Sequence, residues 1–346
     1  MRKLIIIILL LIIITPTVSA AELTAPTAPS EAQEFLPENS TSFTDDLWYI
    51  LKRAFSALFP SLSEAAGASV SAISICMLLA MVKDINGFSA RTVELVGTIS
   101  VATALLVPSN SLISIGIKTA ESISHYAKLF LPVITAALAA EGGTVTSATL
   151  YTGTILFNTV IMHLVTSLLI PMLYVYIALS IAKSSVDAAQ LNSIHKFVKW
   201  LMTWILKIAI YFFTGYLGVS GVISGHADTS AIKAAKIAIT GTVPVIGNII
   251  SDASETILVS AGLAKNAIGT YGLLAMLAIW IGPFVKIGTH YLVLKITGAV
   301  CGVFGSKQTV SLIDDFSSVM GYLVAITGTL CLLFFISTVC FLRGVG

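Results

Sequence analysis

With 346 residues, 56% of them hydrophobic and only 10% charged, and a mean hydropathy of +0.96, the chain lies far from soluble domains, in which about a quarter of residues are charged. Its formal net charge of +2 comes without any Lys/Arg cluster, which excludes a nucleic-acid-binding surface. Several apolar runs approach or exceed the roughly 20 residues that cross a bilayer, so the expected class is all-α: a polytopic integral membrane helical bundle.

The N-terminus has the layout of an export signal at 1–20. Arg2 and Lys3 precede an apolar core from Leu4 to Ile14, Thr15-Pro16 breaks it, and Val18-Ser19-Ala20 supplies small residues for cleavage after Ala20. An uncleaved anchor is the competing expectation, although the core is short for a span. Residues 21–62 form an extracytoplasmic unit. Its first part, rich in Ala, Thr, Ser and Glu with Pro26, Pro29 and Pro37, has too little apolar content to fold and is expected to be a flexible tail. From Asp45 to Phe59, Trp48, Leu51, Phe55 and Leu58 share one helical face, as in a helix lying among headgroups or packed against a bundle.

A membrane domain follows at 63–346, with about six spans at 65–82, 93–107, 150–182, 197–223, 265–300 and 317–342. Pro108-Ser109-Asn110 is the expected end of the second span, and Pro171 and Pro283 predict kinks in the third and fifth. Lysine and arginine collect in alternate loops: Lys83 and Arg91, then Lys183, Lys196 and Lys199, then Lys295 and Lys307. The positive-inside rule puts these loops in the cytoplasm and both mature termini outside, in agreement with an exported N-terminus.

Two amphipathic or re-entrant segments remain for the outer side, 111–149 and 224–264. In the first, Ser114, Lys118, Glu121, His125 and Lys128 recur at helical spacing as one polar stripe, while Leu112, Ile115, Ile123, Tyr126 and Phe130 fall mainly elsewhere. Such a helix lies flat on the membrane or dips into the bundle. Leu131-Pro132-Val133-Ile134 and Val243-Pro244-Val245-Ile246 stand 112 residues apart, and the same offset relates Pro171 to Pro283 and Lys183 to Lys295. This fits a parallel internal repeat with units at 93–183 and 197–295, and a convergent pair of hairpins gives the same pattern.

No zinc-binding His pair, nucleophile elbow or Cys/His cluster is present, so neither an enzyme nor a cofactor or metal is expected. Cys76, Cys301, Cys331 and Cys340 sit in apolar runs and are expected to be small buried hydrophobes. Ionisable groups at bilayer depth are costly unless they face water, protein or an interface. Lys207, Lys286, His163 and His290 fall in this class, as does the run from Pro244 to Thr256 with Asp252 and Glu255. If that run dips inward, Lys286 can pair with one of its carboxylates.

Pro244-Val245-Ile246-Gly247, Ser251-Asp252-Ala253, Glu255-Thr256, Lys265-Asn266, Gly272-Leu273-Leu274-Ala275, Pro283 and Lys286 occur together in an order that resembles the stage III sporulation protein AE family. The candidate functional residues are accordingly Pro244, Gly247, Asp252, Glu255, Lys265, Asn266, Pro283 and Lys286. The resemblance implies a role in endospore formation, as a multi-pass component of the mother-cell membrane around the forespore. It further implies a channel or feeding-tube complex with ring-forming proteins and an ATPase of the same operon, meeting a forespore membrane protein. An autonomous small-solute transporter is the alternative, suggested by the apparent repeat and the proline-broken helices.

Overall fold

The computed structural model describes residues 24–37, 42–83, 89–186, 189–242 and 246–343, with side chains described except at 83, 90, 189 and 218–261. Among the described residues there is no strand. A short helix α1 (Ser30–Gln33) precedes α2 (Phe43–Lys83), α3 (Ala90–Ala140) and α4 (Thr144–Leu164). After a π-helical turn at Val165–Leu169 come α5 (Ile170–Ser185), α6 (Ala189–Thr242), α7 (Ile246–Phe304) and α8 (Lys307–Arg343). Six stretches are long and apolar enough to cross a membrane: Phe43–Val82, Arg91–Ala140, Thr144–Ser185, Gln190–Leu217, Gly262–Phe304 and Lys307–Arg343. Each overlaps one of the six expected spans and, apart from the fourth, which is described to Leu217, contains it.

The second span does not stop at Pro108. Helix α3 runs on for 51 residues through Pro108 and Pro132, about 75 Å at 1.5 Å per residue. Each proline removes one helical hydrogen bond, but burial keeps the helix in register on both sides. Val101, Ala102 and Leu105 are buried before Pro108, and Leu112, Ile113, Ile123 and Phe130 after it. The segment expected as a separate outer helix is therefore the second half of a core helix.

The expected headgroup helix at 45–59 is likewise continuous with the first span, through Pro60. Ile50 and Ala54 pack with Leu274, Ile281 and Val285 of α7, while Trp48 and Phe55 stay exposed. Bundle packing is the reading that holds there. Nor is residues 24–37 the free tail expected from composition: Ala28 and Ala32 are buried in the main core, and Phe35 approaches Gly282 of α7. Small residues made this possible, because alanines fit between helices where longer polar side chains would not.

The third span carries a π-helical turn just before its proline. Pro171 has no N–H to donate, and the π turn immediately before it absorbs the break in the ladder. Between α3 and α4 the chain reverses at Glu141-Gly142-Gly143. Gly143 N–H donates to Leu138 O (3.1 Å) and Gly142 N–H to Ala139 O (3.0 Å), with Gly142 at φ 102°. That is a Schellman closure, and its left-handed position admits glycine at little cost.

Candidate functional site

A buried polar network joins the end of α5 and the start of α6, beside the second lysine cluster, to the start of α8, beside the third. Asp315, near the start of α8, is only 5% exposed. Its Oδ1 accepts a hydrogen bond from Tyr176 Oη of α5 (3.0 Å), and its Oδ2 lies 2.7 Å from Lys183 Nζ. His195 of α6 stacks on the Tyr176 ring at 4.3 Å and brings Nε2 to 3.4 Å from Asp315 Oδ1. Ser180 Oγ donates to Tyr176 O (2.8 Å) and so receives the His195 Nε2 proton across 3.0 Å. Lys183 Nζ, 3.4 Å from His195 Nδ1, can then donate to that nitrogen. These partners select the Nε2–H tautomer. The network clamps α5, α6 and α8 together.

Asp315 escaped sequence reasoning because the sixth span was started at 317. A signal was present: Leu312, Asp315, Phe316, Val319 and Leu323 recur at helical spacing, placing a carboxylate on an apolar face. A buried carboxylate demands a cation.

The sequence candidates whose side chains are described, Lys265, Asn266, Pro283 and Lys286, lie along α7. Lys265 is buried and forms an ion pair with Glu141 on the α3–α4 turn, at the opposite end from Asp315. Gly262, one turn earlier, makes room for it: a Cβ there would stand 2.8 Å from Glu141 Oε1. Asn266 is exposed. Lys286 pairs at 2.8 Å with Glu64 of α2; the pairing expected with Asp252 or Glu255 falls on side chains outside the description. Glu64 was missed because it lies at the edge of an apolar run, one residue before the first predicted span. Pro244 lies outside the described residues; Gly247, Asp252 and Glu255 lie in α7 with their side chains outside the description.

The two histidines make local contacts within their own helices. His290 is buried with Nδ1 2.9 Å from Lys286 O, as a packing histidine would be. His163 is within 3.3 Å of Ser167 Oγ on the π turn, and Lys207 is exposed on α6. Cys76, Cys301 and Cys331 are buried and unbridged, in line with their apolar context.

Pro283 has a more specific consequence. Lacking an N–H, it leaves the Ile279 carbonyl without its helical donor. Ile279 and Pro283 line a cavity of about 240 Å³, with Lys118, Thr119 and Ser122 of α3 on one wall and Glu31 of α1 on another. A larger groove of about 630 Å³ between α2, α7 and α8 is lined mostly by apolar side chains such as Leu51, Phe55, Phe284 and Leu292. Among the described residues, no group of His, Cys, Asp and Glu is disposed to hold a metal ion.

The sequence has counterparts among known proteins. The sequence profile described as stage III sporulation protein AE matches residues 31–344. The chain belongs to that family. Stage III sporulation protein AE of Bacillus subtilis (strain 168) is 22% identical over 303 residues, which cover 86% of this chain and 75% of that protein. No solved structure matches. The family match takes in nearly all of α1, all six membrane-capable stretches and every ion pair described above. The stage III sporulation protein AE family is thus represented here by an all-helical chain with six membrane-capable stretches, and sporulation is the process to which it belongs.

Proposed function

We propose that this chain is a non-enzymatic, multi-pass component of a channel complex joining mother cell and forespore during endospore formation. It sits in the mother-cell membrane around the forespore, with both mature termini outside the cytoplasm. Its partners are ring-forming proteins and an ATPase of the same operon, and a membrane protein of the forespore. One observation carries the reading: in a member of a sporulation family, the buried charges pair helix with helix instead of converging on a substrate pocket. A bundle clamped in this way suits a scaffold within an assembly.

The test is affinity purification of the tagged full-length chain from sporulating cells. Recovery of the ring proteins and the ATPase is expected, and their absence overturns the proposal. A second reading, an autonomous small-solute transporter, is favoured by the cavity beside Pro283. It requires the purified chain, alone in liposomes, to move a solute.

A further inference from the structure

The exposed face of α3 changes character twice along its length. It is apolar at Leu95, Val96, Ile99, Leu106 and Val107, and apolar again at Leu129, Pro132 and Ala136. Between them, Asn110, Ser114, Lys118, Glu121, His125 and Lys128 are all exposed. Since α3 is one unbroken helix, the polar block is not a loop that leaves the membrane and returns.

Neighbouring helices fix its depth. A Cβ at Gly116 would sit 3.0 Å from Leu323 Cδ2 of α8, and the Phe130 and Phe334 rings lie 5.2 Å apart. The block is therefore level with α8 residues 323–334, inside a stretch from 316 to 342 that holds no Asp, Glu, Lys or Arg. Asn158 Nδ2 donates to Ser124 Oγ across 3.2 Å, which sets the block against α4, uncharged from 144 to 164. Gly272, whose Cβ would meet Phe130, lies in the uncharged α7 stretch 266–285. These contacts set Glu121, His125 and Lys128 level with uncharged segments of three helices, while Lys118 meets α7 at Ile279 and Pro283, a turn from the Lys286–Glu64 pair. Charges facing lipid there cost several kcal/mol each, on the order of 2.5–3.5 for a lysine or aspartate at the bilayer centre.

We infer that this face of α3 lines a water-filled passage at membrane depth. The cavity at Pro283 is its side pocket, because Lys118 belongs to both and the freed Ile279 carbonyl offers a further acceptor. Lys118 and Lys128 are offset by Glu121 and by Glu31 across the cavity. The passage accordingly takes small hydrated ions and polar solutes without strong selection by charge. Pro29, Glu31, Ala32 and Phe35 line the side pocket, so α1 narrows it from one flank. The inference rests on the channel reading and names the surface that would do the conducting.

Thiol accessibility tests it on the full chain in membrane vesicles, with the unsubstituted chain as background. Ser114→Cys, Glu121→Cys and His125→Cys are probed with two membrane-impermeant methanethiosulfonates, one cationic and one anionic. Val107→Cys and Ala136→Cys report the flanking apolar face. The stripe positions should react with both reagents, at least about tenfold faster than the flanks, because a thiol ionises only where water reaches it. Reaction no faster than at Val107→Cys and Ala136→Cys, in variants that accumulate normally, overturns the passage. Failure here with the ring proteins still co-purifying removes the passage and leaves the channel assignment. Labelling without those partners does the reverse.

Discussion

Lys183 Nζ and Asp315 Oδ2 lie 2.7 Å apart, withdrawn from solvent between α5, α6 and α8. The end of one span is thereby tied to the beginning of another that follows much later in the chain. Desolvating both ions offsets much of their attraction, so the pair specifies geometry more than it adds stability.

Asp315→Asn should consequently be more harmful than removing both charges. The single variant leaves an ammonium buried without its counter-ion, costing about 3–5 kcal/mol. Thermal unfolding in detergent should show a clear loss for Asp315→Asn and recovery in Lys183→Met/Asp315→Leu. An unchanged unfolding temperature for the single variant would show that water already reaches the site.

At the other end, Lys265→Glu should place two carboxylates against one another at the α3–α4 turn. Low accumulation in the membrane is expected, with partial restoration in Lys265→Glu/Glu141→Lys. If the double variant accumulates no better than Lys265→Glu, position 265 matters for something other than this pairing.

Close helix approach depends on Gly272. A Cβ there would stand 2.2 Å from Phe130 Cε2, within a fully buried aromatic cluster with Phe334 and Tyr126. Gly272→Ala should destabilise by about 1–3 kcal/mol through overpacking. Gly288→Ala, where nothing lies within 4 Å, should be neutral or slightly stabilising, since alanine favours helix by up to about 1 kcal/mol. Equal unfolding temperatures for the two variants would contradict the packing described.

The two ends of the bundle should also be separable by reagent access. Thr144→Cys lies at the Glu141 end and Lys307→Cys at the Asp315 end, and both positions are exposed. In whole cells that make the chain during growth, outside sporulation, an impermeant maleimide should modify Thr144→Cys, and Lys307→Cys only after lysis. The opposite result would invert the orientation inferred from the lysine-rich turns.

Membrane class, the number of spans and the family were legible in the amino-acid order, because each is written locally. Apolar length sets a span, and an ordered run of residues on α7 carries the family likeness. Helix ends were less legible where proline was the guide. Pro108 looked like a stop, yet buried neighbours on either side outweigh one missing hydrogen bond. The polar stripe of α3 was visible as periodicity; its depth was not, since depth is set by Leu323, Asn158 and Phe334 on other helices.

The sequence by itself therefore determined what the chain must be dissolved in and which faces of its helices are polar. Only the tertiary structure decided which charges meet. Tyr176 and Asp315 are 139 residues apart, Lys265 reaches back to Glu141, and Lys286 chooses Glu64. Such pairings arise when helices pack and exclude water, and local spacing carries no record of which distant partner will satisfy a buried charge.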